Sequence, residues 1–243
     1  MLRGDRSESA SLVVLAASVY EGLLQDVDWW LHPRERERLS GLTAERRRRE
    51  FLLGRVAAKQ AFAVMRPGLV GRQVSIDAGV FQQPVVCSAD PRPLGVSLTH
   101  SAGLAGAVAF PSGHPIGIDI EPIAGSNLSA LQSHVNPGDL PPATPGSSEA
   151  ERFTRVWTIK ESLSKVLGCG MMTPFSLFTP VDAAFAGDGS YRGGFEHFPQ
   201  YRFLSLVTPH VAFALVHPAR TSPLADWPGL TEFLADHSEE QRA

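Results

Sequence analysis

The chain has 243 residues, 43% of them hydrophobic and 19% charged, with a formal net charge of −3. Such a length suits one large domain or two of roughly 120 residues, and such a balance excludes a disordered chain. It also leaves no whole-molecule attraction for nucleic acid or an anionic membrane, so basic chemistry here has to be local. The two cysteines, Cys87 and Cys169, make neither a CxxC pair nor a Cys/His metal spacing. No disulfide framework or zinc site is therefore expected, and a reducing cytoplasm is the expected compartment.

At the N-terminus Arg3 and Arg6 are balanced by Asp5 and Glu8, so the positive start of a signal peptide is missing, and residues 12–17 are expected to form a first β-strand. No apolar run approaches the ~20 residues of a membrane span. Residues 20–31 are amphipathic. "HPRERERLSGL" follows as a short helix with Pro33 in its first turn. "TAERRRREFLLGRVAAKQAFAVM" predicts a longer helix capped by Thr43, with Phe51, Leu52, Val56, the stem of Lys59 and Phe62 on its apolar face. "QVSID" and "VSLTH" are strand candidates separated by a proline-rich turn region, and "AGAVAF" and "IGIDI" are strands flanking the turn "PSGHP". Residues 137–148, "PGDLPPATPGSS", predict a mobile loop before a second long helix. "FSLFTP", "RFLSLVT" and "VAFALVH" then predict strands. Strand, helices and strands thus recur on both sides of residue 114. The expected fold is α+β, built from two similar α/β halves, residues 1–113 and 114–243.

Two stretches carry candidate chemistry. In "PIGIDIEP" the isoleucines at 116, 118 and 120 alternate with Gly117, Asp119 and Glu121, so a strand puts both carboxylates on one face, roughly 7 Å apart. Two acids at that spacing can converge on one cation or its water shell, although an edge strand with one wet face has the same pattern. Gly117 beside them permits close approach of a backbone or a ligand. In "WTIKESLSK" the apolar arc of the helix is Val156, Ile159, Leu163, Val166 and Leu167, and Lys160 falls inside it. A lysine there either snorkels or meets an anion. Glu161 and Lys165 are one turn apart, which is also the spacing of a plain surface ion pair worth only ~0.3–0.5 kcal/mol.

Together these stretches resemble the signature of the 4′-phosphopantetheinyl transferase superfamily, a G-x-D strand followed by W-x-x-K-E-x-x-x-K. The chain length resembles the surfactin-synthetase-activating type, which carries two halves in one chain. "EFLLGR", "VSLTHSAG" and "GCGMMTPFSLF" extend the resemblance over about residues 30–217. It implies a monomer whose halves are related by a pseudo-twofold, with the active site at their interface. The N-terminal half would contribute to coenzyme A binding, and the C-terminal half would hold the metal and the catalytic helix.

The resemblance further implies that Asp119, Glu121 and Glu161 hold Mg²⁺, with Mn²⁺ as an alternative, and that coenzyme A is the substrate. Glu161, directly or through a water, would take the proton of a serine on an apo acyl or peptidyl carrier protein. Asp119 and Lys165 would complete the catalytic set, and Lys160 and Lys165 would balance phosphate charge. The arginine-rich stretches look at first like solvated helix faces, but the resemblance singles out Arg38 and Arg55 as coenzyme A contacts. It adds Thr99, His100 and Ser101, with His100 directed at the 3′-phosphate. The family's G-K-P segment is replaced here by "FQQP", which offers Gln83 where a lysine is usual, with Arg92 as another source of charge. The same acids also suit a metal-dependent phosphohydrolase or a non-catalytic carrier-binding relative. No Walker A, GxSxG or HExxH motif offers a competing site.

Overall fold

The computed structural model describes residues 2, 3, 6, 7 and 9–238. Two minimal strands, β1 (Leu2–Arg3) and β2 (Arg6–Ser7), pair antiparallel. β3 (Ser11–Ala16) is followed by helices α1 (Tyr20–Gln25), α2 (Val27–Trp30), α3 (Pro33–Ser40) and α4 (Glu45–Met65). Strands β4 (Ser75–Ala78), β5 (Pro84–Cys87), β6 (Leu94–Ser101) and β7 (Leu104–Pro111) complete this part of the chain. β8 (Gly117–Pro122) then leads to α5 (Leu128–Gln132) and α6 (Glu149–Leu167). After them come β9 (Pro180–Phe185), β10 (Tyr191–Phe195), β11 (Tyr201–Val207), β12 (Val211–Pro218) and α7 (Trp227–His237). Among the described residues no helix is long and apolar enough to cross a membrane.

The two halves share one wiring. The first sheet has the order β3-β7-β6 and the second β8-β12-β11-β10-β9, so in each half the first strand pairs with the last and the last with its predecessor. All pairings are antiparallel. Period-two alternation then sorts the side chains. Val13, Leu15, Val96, Leu98, Ala107 and Ala109 pack on α4, whereas Leu12, Val14, Val108 and Phe110 face the second sheet. From that sheet Ile116, Ile118, Ile120, Leu204, Phe213 and Leu215 point back into the shared core, while Phe203, Ala214 and Val216 pack on Ile159 and Leu163 of α6. The layers run α4, sheet, sheet, α6.

The seam between the halves has a specific solution. Among the described residues β8 pairs with β12 alone, so the backbone groups of its other edge have no ladder partner. Ser97 and Thr99 of β6 supply hydroxyls instead. Ser97 Oγ accepts from the N–H of Ile118 at 3.1 Å and Thr99 Oγ1 from that of Ile120 at 3.0 Å.

Several expectations change. Thr43 does not cap α4; Ala44 holds the N-cap position and no side chain caps it. "FSLFTP" is not a strand: Phe175–Leu177 is a 3₁₀ turn, and strand begins at Pro180 after Pro174 has fixed the turn. β5, β9, β10 and α7 went unread. The loop at 137–148 is anchored at its start, where Pro137–Asp139 forms a 3₁₀ turn and the Asp139 carboxylate meets Lys160.

Candidate active site

Helix α6 is fixed at both ends. Ser148 Oγ accepts from the Glu151 N–H at 3.1 Å, and Gly168 ends the helix in the left-handed conformation at φ 66°. Its approach to β8 depends on Gly117. A Cβ at that position would lie 2.0 Å from the carbonyl oxygen of Ser162, so only glycine lets the helix backbone come this close. The glycine beside the acids serves a backbone and brings the helix to them.

That approach determines where Lys165 goes. Its ammonium donates to Asp119 Oδ1 at 2.7 Å and to the Ile118 carbonyl at 3.0 Å, rather than forming a one-turn pair with Glu161. Asp119 is buried, and its Oδ1 also accepts from Thr99 Oγ1 at 3.0 Å. The second oxygen, Oδ2, is buried with no hydrogen-bond partner. Glu161 receives a long contact from Ser164 Oγ, 3.4 Å. Burial, and then the neighbouring Asp119, hold its carboxyl above the usual carboxylate range. Glu121 is pushed up to about 7, first by burial and then by Asp119, with the side chain of Trp157 acting in the opposite sense.

The three acids therefore feel one another, but they are not a ready-made cage. Among the described residues no three His, Cys, Asp or Glu side chains are grouped to hold a metal. An open buried carboxylate oxygen beside two acids whose ionisation is resisted still suits a hard cation. Mg²⁺ in particular is commonly held by one or two carboxylates, with water and substrate oxygens as its other ligands.

Between the halves lies a cleft of about 320 Å³. Arg38, Arg55, Asp77 and Gln83 line one wall, and Glu161, Ser164, Lys165 and Gly168 the other. Five of the residues singled out from the sequence thus meet in one cavity: Arg38, Arg55, Gln83, Glu161 and Lys165. Gln83 is not a free contact, because its Oε1 accepts from the Phe81 N–H at 2.9 Å and closes its own turn.

Other expectations are redirected. Lys160 does not reach the cleft. It is fully buried, and its ammonium binds Asp139 Oδ2 at 2.6 Å and the Phe175 carbonyl at 3.1 Å. The charge in the apolar arc is met from inside the protein and not by the expected phosphate. Thr99 is likewise spent on Asp119 and β8. His100 is half-exposed with Nδ1 3.8 Å from Glu50, and Ser101 lines a separate pocket with Arg46, Arg49 and Glu50. Arg92 pairs with Asp90 at 3.4 Å and does not line the cleft.

Sequence reasoning missed Glu35, Lys59 and Asp139. Glu35 sits in "RERER", which looks solvated throughout, yet it is buried between Arg55 and Lys59. The available signal was its place three residues after His32, the capping-box position, and it does accept from the His32 N–H at 3.1 Å.

Residues 115–214 match the family model described as the 4′-phosphopantetheinyl transferase superfamily. The matched segment is the one that carries the G-x-D-x-E strand and the W-x-x-K-E-x-x-x-K helix. Over 69 residues the chain is 36% identical to the 4′-phosphopantetheinyl transferase gsp of Aneurinibacillus migulanus, a stretch covering 28% of this chain and 29% of that relative. Among solved structures, a holo-(acyl-carrier-protein) synthase of Bacillus anthracis in complex with CoA (3′,5′-ADP) aligns at TM-score 0.38 and 21% identity, over 41% of this chain and 91% of that one. A Helicobacter pylori holo-[acyl-carrier-protein] synthase in complex with coenzyme A aligns at 0.36 and 17%, over 42% and 98%.

Proposed function

We propose that this protein transfers 4′-phosphopantetheine from coenzyme A to a serine of an apo acyl or peptidyl carrier protein, releasing 3′,5′-ADP. The observation that carries this reading is the cleft itself. Two arginines stand on one wall, an acid and a lysine on the other, and Lys165 is tied to an aspartate with one open oxygen. We further propose that the halves divide at residues 113 and 114 about a pseudo-twofold, and that the protein acts as a cytoplasmic monomer without nucleic acid or membrane.

In the reaction the serine oxygen forms a bond to the β-phosphorus of coenzyme A. The bond from that phosphorus to the bridging oxygen breaks, and 3′,5′-ADP departs with the electron pair. Glu161, whose burial makes it a stronger base than an exposed carboxylate, accepts the serine proton directly or through one water. Lys165 has two of its three N–H donors engaged, by Asp119 and Ile118, and presents the third to a phosphate oxygen. Arg38 and Arg55 hold the phosphates from the opposite wall. Asp119, with Glu121 and Glu161, would hold Mg²⁺ or Mn²⁺, whose charge offsets that building on the diphosphate oxygens.

Intact mass spectrometry of several apo carrier proteins, incubated with the enzyme, coenzyme A and Mg²⁺, tests the reading. The phosphopantetheine mass gain should appear and should vanish with EDTA. No gain on fatty acid, polyketide and peptide carriers alike would overturn it.

A further inference from the structure

Helices α3 and α4 and strand β4 meet at a buried carboxylate. Glu35 is 2% exposed, and both of its oxygens are fully committed. Oε2 lies 2.9 Å from Lys59 Nζ and accepts from the His32 N–H, while Oε1 lies 3.3 Å from Arg55 Nε and accepts from the Ile76 N–H at 3.0 Å. With four partners on two oxygens the acid has nothing left for a ligand. The two cations differ in the same respect. Lys59 is fully buried and finishes its coordination on the Val74 carbonyl, so it never sees solvent. Arg55 lines the cleft, donates Nη2 to the Ile76 carbonyl at 3.2 Å, and stacks over the Phe51 ring at 4.7 Å. Its Nε faces Glu35 as an ion pair without a hydrogen bond, and the Ile76 carbonyl engages one of its five N–H donors.

We propose that Glu35 is a positioning residue that aims Arg55 into the cleft, so that one carboxylate shared by two cations leaves this wall with a spare positive charge for an anionic substrate. This inference rests on the coenzyme A reading above. The anchor is rigid because it ties three elements at once: the N-cap of α3, the middle of α4 and the backbone of β4. A guanidinium held by the Glu35 charge, the Nη2 hydrogen bond and the Phe51 ring keeps a single orientation, and its remaining N–H donors can meet a phosphate without first losing side-chain freedom. Burial lowers the proton affinity of both Arg55 and Lys59, and Glu35 opposes that in each case.

The test is a double-mutant cycle. Glu35→Gln with Lys59→Met removes one charge of each sign, so Lys59 is not left inside without its counter-ion, and only Arg55, at the cleft, loses its partner. This variant should fold, keep its kcat at saturating coenzyme A, and show a KM for coenzyme A about ten-fold higher. In an Arg55→Ala background the same two changes should add almost nothing, because there is no guanidinium left to aim. A plain packing role would instead lower stability and activity equally in both backgrounds, and such additivity would overturn the inference. Should the paired variant not fold, Glu35→Asp serves. It keeps the charge one methylene shorter, and the same KM rise and the same loss of effect without Arg55 are expected. Calorimetric titration of the wild-type protein with coenzyme A separates the two levels. Binding with an additive cycle sinks the positioning role alone, whereas no binding and no transfer sink the reading beneath it as well.

Discussion

Helices α4 and α6 hold matching places in the two halves, and each buries one lysine completely: Lys59 and Lys160. Each lysine takes a carboxylate from earlier in the chain, Glu35 at 2.9 Å or Asp139 at 2.6 Å. Each also donates to a carbonyl 15 residues further on, Val74 or Phe175. The halves therefore share a locking device as well as a strand order, one that ties the central helix to a segment before it and a segment after it. The difference lies just beyond the lock. After Lys160 come Glu161 and, four residues later, Lys165; at the same offsets after Lys59 stand Gln60 and Val64. On the proposed reading, one scaffold thus carries proton transfer and phosphate charge on one side only, while the other side supplies a cationic wall.

The sharpest way to break this asymmetry is Glu161→Gln, which keeps the shape and removes the base. Turnover of carrier protein should fall about 10²–10⁴-fold with the melting temperature unchanged. Turnover close to wild type would show that Glu161 belongs to the scaffold. Gly117→Ala ranks next. The added methyl would meet the Ser162 carbonyl at 2.0 Å, and α6 and β8 would have to part. Both Tm and kcat should drop, and unchanged values in both would show that the helix does not need this approach.

Lys59→Met should cost less stability than Lys160→Met, because Glu35 keeps Arg55 and two backbone N–H donors. Lys160→Met strands the Asp139 carboxylate, which typically costs ~3–5 kcal/mol, or roughly 10 °C in Tm for a chain of this size. Restoring neutrality with Asp139→Asn beside Lys160→Met should recover much of that loss. A large kcat defect in Lys160→Met that survives this repair would return Lys160 to the phosphates and end the parallel.

Much of this arrangement was legible in the residues. The alternation of Ile118 and Ile120 with Asp119 and Glu121 predicts the strand and its acidic face, and the β8 register bears it out. The apolar arc of α6 identified Lys160 as the odd residue. Its partner was not legible, because Asp139 lies in a proline-rich stretch that has no periodicity to place it. Glu35 failed for the opposite reason: "RERER" is periodic, but pattern alone does not distinguish an acid buried between two cations from one in water. The direction of Lys165 likewise depended on how closely α6 meets β8. Gly117 hinted at a close approach without naming what approaches.

The smallest expected effect concerns Glu121, and it sets function against stability within the half proposed to be catalytic. Its carboxyl is pushed from an ordinary value near 4.5 up to about 7 by burial and by Asp119. Between those two values the native protein holds a proton that the unfolded chain has released. Stability contributed by this group is therefore present at low pH and is lost as pH rises through 7. In metal-free protein kept in EDTA, Glu121→Gln removes that dependence. The variant should melt a few degrees higher than wild type at pH 8 and indistinguishably from it at pH 4.5 to 5, provided the protein stays folded there. Its transfer activity should nevertheless fall, because the lost charge is one of three expected to face Mg²⁺. A variant no more stable than wild type at pH 8 would mean that the Trp157 side chain already compensates the ionised carboxylate. In that case the acids would pose no charge problem for a metal to solve.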